Sequence, residues 1–228
     1  GLSTNQVVAL TTAAIATLGN DETDTGQRKQ VFLATVQIAA LTTTQVNQGL
    51  STAQVAALNS TQIANLSSAQ AAKLGSAQVA ALTTTQLNRL SSSALREITT
   101  TGVQNFTAVQ MMGLSGDQLN NLSSSQLVSL TSNQIANLSS SQLNALNSTT
   151  LQAIETADIQ SLANTKVATL SSAQLNNLST SQVKALSTGQ MRALGDVAFA
   201  LAMTSENYDE ARRCYEEAIV LDESLREE

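Results

Sequence analysis

The apolar positions of this chain recur every eight residues. A large apolar residue opens each octad from Leu50 to Leu194 without a slip, which defines eighteen octads over residues 50–193. The sixth place also carries an apolar residue, and it is small only at Ala71. Gly49 is a one-residue insertion, and earlier octads open at Leu2, Leu10, Leu33 and Leu41. Self-similarity at a fixed period is typical of a repeat architecture.

The eight-residue period argues against one long helix and against a regular sheet. In an α-helix, eight residues rotate the side-chain direction by about 80° beyond full turns, so the first-place residues would spiral around the axis. In a strand, the first and sixth places would point to opposite faces. A β-solenoid would need corners, but Gly and Asn do not recur at fixed places. The abundant Ala, Gln and Leu favour helix.

The octad that opens at Leu50 carries the signals of a helix N-terminus. Ser51 is a suitable N-cap, and Gln54 completes a capping box with it. Leu50 and Val55 are placed to form a hydrophobic staple across that box. Ser, Thr, Asn or Gly occupies the second place in sixteen of the eighteen octads, and Gln occupies the fifth in thirteen. The same structural set recurs at Leu122, Ser123, Gln126 and Leu127.

These signals predict an all-α fold, a solenoid or superhelical coil of very short helices with one helix per eight-residue repeat. We expect residues 1–194 to form the solenoid, with an irregular insertion at residues 19–32, and residues 195–228 to form a helical cap. The first-place and sixth-place side chains should point inward. One octad buries too little to fold alone, so stacked neighbours must stabilise it.

The insertion at residues 19–32 is polar and charged, which predicts a surface loop or a degenerate octad. A calcium-binding loop is the alternative, because Gly26 falls at the turn position of an EF-hand loop counted from Asp21. The third and fifth positions of that loop carry threonine, however, and Phe32 stands where a bidentate glutamate is needed. The pattern therefore favours the surface loop.

Three successive octads lack the fifth-place glutamine and carry Thr150, Asp158 and Lys166 instead. Drift of solvated positions is the simplest interpretation. An Asp158–Lys166 pair would replace contacts between glutamines of neighbouring turns. A substrate site is a further hypothesis, which nothing else in the sequence supports.

The octads stop at Gly195, and the charge density then rises. Residues 207–222 predict an amphipathic helix, with one face formed by Tyr208, Ala211, Tyr215, Ala218 and Leu221. This spacing resembles the second helix of a tetratricopeptide repeat. The chain departs from that family at Glu223, where Pro is usual, and at Phe199, where Gly is usual, in the preceding helix at residues 196–203. The resemblance covers one repeat, which implies a polar cap on the open end of the solenoid.

The composition offers few groups for chemistry. The chain has no His and a single cysteine, Cys214, so the usual general bases, nucleophile pairs and zinc ligands are missing. We therefore predict that the protein is not an enzyme and has no catalytic residue, no metal site and no cofactor. The net charge of −6 argues against nucleic acid as a partner. No apolar run is long enough for membrane insertion.

The octads resemble the TTxQVAAL-type arrays of large bacterial surface proteins that are described as adhesin-like or as heme-utilisation proteins. Residues 42–46, 76–82 and 83–87 carry the likeness, which extends over about four-fifths of the chain. With no His, the chain gives little support for haem ligation. The resemblance implies a segment of a larger protein at the cell surface or in the secreted fraction.

The leading functional prediction is a non-catalytic structural segment, a spacer, stalk or scaffold. The alternative is an interaction module that binds a protein or peptide in a groove of the solenoid. Apolar Met112 and Val128, at places of the octad that should point outward, are its clearest hints. Ice binding by rows of threonine is a third hypothesis, which the mixing of Ser and Thr disfavours. We expect other proteins or cell-surface components as partners, and the sequence leaves self-association open.

Overall fold

The computed structural model describes residues 3–17 and 34–204. In these ranges all regular structure is helical and there is no strand. The chain forms two compact units, Gly1–Leu130 and Thr131–Glu228. The prediction of an all-α repeat of very short helices is confirmed. The insertion at residues 19–32, its calcium-loop alternative and the cap beyond residue 204 lie outside the described residues.

The described part of the first unit contains thirteen α-helices and one π-helical turn, π1. Their bounds are α1 Thr4–Val8, α2 Thr12–Thr17, α3 Thr35–Ala40, π1 Gln45–Gly49, α4 Thr52–Ala57, α5 Ser60–Ala64, α6 Ser68–Ala71, α7 Ser76–Ala81, α8 Thr84–Leu87, α9 Ser92–Glu97, α10 Thr100–Gln104, α11 Ala108–Gly113, α12 Gly116–Asn121 and α13 Ser124–Ser129.

The described part of the second unit contains eight α-helices. Their bounds are α14 Ser132–Ala136, α15 Ser140–Ala145, α16 Ser148–Gln152, α17 Thr156–Ser161, α18 Asn164–Ala168, α19 Ser172–Asn177, α20 Thr180–Lys184 and α21 Thr188–Thr204.

The short helices pack on one another at a fixed interval of three octads. In the first unit, α4 contacts α7, α7 contacts α10 and α10 contacts α13, and these helices begin twenty-four residues apart. The series α5, α8, α11 and the series α6, α9, α12 repeat the arrangement. Within the second unit, α14 contacts α17, α17 contacts α20, α16 contacts α19 and α18 contacts α21. Each unit is therefore a coil in which a helix rests on the one three octads away.

The core of each unit is aliphatic and consists of the first-place and sixth-place residues. From Val7 to Val167, every described sixth-place residue is buried. The first place is buried at nearly every octad from Leu41 to Leu162, and Phe106 fills it where most octads have Leu. From Gln62 onward the fifth-place glutamines are buried as well, whereas Gln54 is half-buried, and the sequence pattern did not predict this burial.

The insertion at Gly49 is absorbed inside a single octad. Residues 45–49 form π1, in which the N–H of Leu50 donates to the carbonyl of Gln45 at 3.1 Å. A π-helical turn accommodates one more residue than an α-helical turn, so the octads resume their register at Leu50. The insertion leaves the first-place and sixth-place residues on both sides of it buried, Leu41, Val46, Leu50 and Val55.

The last described helix, α21, is longer than all the other helices among the described residues and runs without a break from Thr188 to Thr204. A separate helix over residues 196–203 was expected. The two segments join because residues 197–203 consist of apolar residues, mostly Ala and other good helix formers, and the helix continues through Gly195 and Asp196.

Candidate functional site

The octad of Leu50 begins its helix with two reciprocal hydrogen bonds. The backbone N–H of Gln54 donates to the hydroxyl oxygen of Ser51 at 3.2 Å, and the N–H of Ser51 donates to Oε1 of Gln54 at 2.8 Å. These bonds provide acceptors for N–H groups that a helix N-terminus leaves free. Leu50 and Val55 are both buried next to this box.

The octad of Leu122 repeats the arrangement. The N–H of Gln126 donates to the Ser123 hydroxyl at 3.3 Å, and the N–H of Ser123 donates to Oε1 of Gln126 at 2.8 Å. Leu122 and Leu127 are buried, and the Gln126 side chain is only 1% exposed. The two sets lie nine octads apart in equivalent places, so they are two copies of one repeated structural element and not two halves of one site.

The other end of the glutamine side chain joins this helix to an earlier turn of the coil. Nε2 of Gln126 donates to the backbone carbonyls of Leu95 at 2.8 Å and Ile98 at 2.7 Å. Leu95 lies near the C-terminal end of α9, and Ile98 opens the octad that follows it. The carbonyl of Leu95 also accepts from the N–H of Ile98 at 3.2 Å, so the glutamine amide is its second donor. One amide therefore supplies an acceptor at one helix start and a donor at another helix end.

This inter-turn contact recurs with the same register in both units. Nε2 of the fifth-place glutamine bonds the sixth-place carbonyl of the octad four repeats earlier and the first-place carbonyl of the next octad. The glutamines that do so are Gln70, Gln78, Gln86, Gln110, Gln118, Gln126, Gln182 and Gln190. Gln45 bonds the equivalent carbonyls of Val7 and Leu10, from which the irregular residues 19–32 separate it in sequence.

One signal for these contacts was present in the sequence. A capping box accepts Glu as readily as Gln at its last position, because only a side-chain acceptor is needed there. Yet Glu occupies the fifth place in none of the eighteen octads. The strong preference for the amide indicates that a donor is also required.

Two seventh-place asparagines replace one of the glutamine bonds. Nδ2 of Asn88 donates to the carbonyl of Gly113 at 2.7 Å, and its Oδ1 accepts from the N–H of Ser115 at 2.8 Å. Asn144 makes the same pair of bonds with Thr169 and Ser171. Each asparagine therefore holds the helix start that a capping-box glutamine would hold.

The glutamines displaced by these asparagines keep only their inter-turn bonds. Oε1 of Gln118 and Oε1 of Gln174 are buried without a hydrogen-bond partner, whereas Nε2 of Gln118 still bonds the carbonyls of Leu87 and Leu90. Where the two roles of the amide compete, the donor role is retained. The contact between turns is thus the more constant function of this residue.

One octad without glutamine shows how that donor can be replaced. Nζ of Lys166 donates to the carbonyl of Ala136, which lies at the seventh place of the octad four repeats earlier. Asp158 is buried and accepts a hydrogen bond from the hydroxyl of Ser132 at 2.5 Å. The expected Asp158–Lys166 pair is therefore wrong, because the glutamines in whose place these residues stand contact backbone and not one another.

The repeated site has the chemistry of a structural contact. Its donors and acceptors are amides, hydroxyls and backbone groups that bind the chain itself. The described residues contain no group of three or more Cys, Asp or Glu side chains arranged to hold a metal ion. No helix in the described part of the chain is long and apolar enough to span a membrane.

Comparison with known families also finds a repeat in this chain. Residues 55–92, 151–188 and 166–196 match the ALTTAQ repeat. The matches fall in both units and support a repeat array. Searches of curated proteins and of solved structures gave no match.

Proposed function

We propose that this chain is a non-catalytic structural segment, a spacer or scaffold, of a large bacterial surface or secreted protein. The observation that carries the proposal is the recurrence of one glutamine contact, turn after turn, in both units. A contact of this kind makes each turn a copy of the previous one. The length of the segment can then change in evolution by whole octads without a new core.

The surface composition supports the same role. The interior takes up the first, fifth and sixth places of the octad, so the outward places are mostly Ser, Thr, Asn and Ala. Only 12% of the chain is charged. Such a surface offers hydrogen bonds for solubility, but it carries no large field that would attract charged ligands.

Location can be tested on intact cells that produce the natural protein. An antibody raised against the octads of residues 50–130 should bind unpermeabilised cells or recover the protein from the medium. A cytoplasmic protein of the same cells serves as the control for lysis. Binding only after lysis would contradict the surface or secreted role.

An interaction module is the second candidate, and one helix favours it. Val109 and Met112 on α11 are 67% and 53% exposed, and their spacing of three residues places them on the same side of the helix. Val128 is a further exposed apolar residue on α13. A protein or peptide partner of this surface would bury a small apolar patch.

The paired variant Val109→Ser with Met112→Ser separates the two candidates. The scaffold proposal expects this variant to match the parent in surface display, in melting temperature and in the set of proteins that it captures in a pull-down. Loss of one captured protein with an unchanged melting temperature would favour the interaction module. Val36→Ser, at a valine that is 65% exposed in another octad, is the matched control.

A further inference from the structure

The core of the second unit opens toward its C-terminal end. Ile135, Leu143, Leu151, Ile159 and Val167 are buried in succession at the sixth place. The next three sixth-place residues break this rule, since Leu175 and Met191 are only half-buried and Val183 is 43% exposed. We call Leu175, Val183 and Met191, together with the first-place Leu170 and Leu186, the C-terminal edge.

Among the described residues, backbone carbonyls of the last octads lack the side-chain donors that the carbonyls of earlier octads have. The carbonyls of Leu146, Ile154 and Leu162 accept hydrogen bonds from Gln174, Gln182 and Gln190. In the part of the chain that the structure describes, no side chain donates to the equivalent carbonyls of Leu170, Leu178 and Leu186. The C-terminal edge therefore exposes apolar side chains next to backbone carbonyls that can accept hydrogen bonds.

Two cations stand at this edge. Lys184 and Arg192 are exposed and occupy the seventh place of their octads. In earlier octads, the seventh-place Asn144 and Gln152 donate to carbonyls of the turn that follows, those of Thr169 and Asn177. Lys184 and Arg192 therefore have the register of side chains that reach toward the next layer. The octads of residues 170–193 carry no acidic residue to neutralise them.

The remaining 24 residues of the chain have the complementary composition. Residues 205–228 contain nine acidic and three basic residues, so their net charge of −6 equals that of the whole chain. Their apolar residues follow the spacing of one helix face, which includes Tyr208, Tyr215 and Leu221. These residues lie outside the described part of the structure and follow directly on α21, which ends at Thr204.

We propose that residues 205–228 cover the C-terminal edge, with their apolar face on Leu175, Val183 and Met191 and their carboxylates near Lys184 and Arg192. The tyrosines and arginines of this segment carry hydrogen-bond donors, which suit the carbonyls of Leu170, Leu178 and Leu186. Burial of the apolar edge drives the docking, and the opposite charges select this segment over a second array. A segment of the same chain then covers the last octads of the array. This inference does not depend on the proposed spacer role.

Cys214 allows a direct test because it is the single cysteine of the chain. It borders the helix face that Ala211 and Tyr215 define, at a spacing of three residues from Ala211. In the full-length variant Val183→Cys, mild oxidation should form an intramolecular disulfide, since a disulfide requires the two Cα atoms to approach within about 7 Å. Non-reducing electrophoresis and peptide mass mapping identify the product.

The variant Val109→Cys provides the matched control, because Val109 is an exposed valine of the first unit. We expect its intramolecular disulfide to form at least tenfold more slowly than that of Val183→Cys. Equal rates for the two variants would overturn the proposal. Disulfides that form only between two chains would also overturn it, and would show that a second copy of the chain covers the edge.

Charge reversal tests the electrostatic part in the same variant. Adding Lys184→Glu and Arg192→Glu to Val183→Cys should lower the crosslinking rate at least fivefold at low salt, while Arg89→Glu in the first unit should leave it unchanged. A rate that charge reversal at the edge does not alter would overturn the assignment of Lys184 and Arg192. Circular dichroism checks that each variant keeps its helices.

Discussion

A glutamine side chain holds a donor and an acceptor on one planar amide, and the octads use both. At Gln126, Oε1 serves the start of its own helix and Nε2 serves the end of an earlier one. The amide is almost fully buried, so each of its bonds is shielded from water. Removal of the amide leaves the N–H of Ser123 and the carbonyl of Ile98 without a partner, whereas the carbonyl of Leu95 keeps the N–H of Ile98.

Substitution of Gln126 should therefore cost more than the loss of a cap. A capping bond alone accounts for about 1 kcal/mol, whereas Gln126→Ala should lower the free energy of unfolding by about 3 kcal/mol, because the buried carbonyl of Ile98 also loses its donor and the carbonyl of Leu95 loses one of its two donors. Urea denaturation measures the change.

The near-isosteric Gln126→Glu distinguishes the two roles. It keeps an acceptor for the Ser123 N–H but removes the donor and places a carboxylate against two carbonyl oxygens. A purely capping role predicts stability equal to the parent, whereas we expect a loss at least as large as that of Gln126→Ala. Gln160→Glu, at an exposed seventh place, is the control and should change stability little.

The N-cap hydroxyl has a smaller effect that can be measured separately. Ser123→Ala removes the acceptor for the N–H of Gln126 and should lower the free energy of unfolding by about 1 kcal/mol. The adjacent Ser124→Ala changes an exposed serine at the third place, which should have almost no effect. Equal losses for the two variants would contradict the assignment of Ser123 as the cap.

At the scale of the element, each helix is too short to be stable alone. The sequence predicted these helices well, because N-cap, apolar residue and glutamine recur together in each octad. It could not predict which helices stack, because identical octads satisfy the pattern at any whole-number offset. The interval of three octads depends on how tightly the coil turns. The Asn88 and Asn144 contacts were missed for the same reason, since their partners lie more than twenty residues away.

The π-helical turn at Gly49 gives a test of register at this scale. Deletion of Gly49 restores the eight-residue spacing between Leu41 and Leu50. It should leave the melting temperature unchanged or slightly higher, because an α-helical turn replaces π1. Deletion of Ala81 from a regular octad shifts every later apolar residue by one place and should lower the melting temperature by more than about 10 °C. Differential scanning calorimetry measures both, and equal effects would show that π1 does not absorb the insertion.

At the scale of the whole molecule, stability rests on contacts between turns, as expected of a solenoid. The described helices within each unit contact partners three octads away, so a defect should spread along the coil and not along the sequence. The role of the array is less predictable from sequence than its fold. The repeated residues bind the chain itself and therefore identify no ligand.

A buried charge at Leu122 tests this spreading. Leu122→Asp places a carboxylate in a core position that is 4% exposed, and it should lower hydrogen-exchange protection more than tenfold in α13 and in α10, on which α13 packs. Val128→Asp, at a half-exposed valine of the same helix, is the control and should leave α10 protected. A loss of hydrogen-exchange protection that is confined to residues 122–129 would contradict energetic coupling between the stacked helices.

The contact between turns can be observed most directly by NMR on the full-length protein, labelled with ¹³C and ¹⁵N. Scalar couplings across hydrogen bonds should connect the ε-amide of Gln126 to the carbonyl carbons of Leu95 and Ile98, and its amide protons should exchange slowly with water. An ε-amide of Gln126 that exchanges as fast as that of exposed Gln160, with no coupling to either carbonyl, would contradict the account.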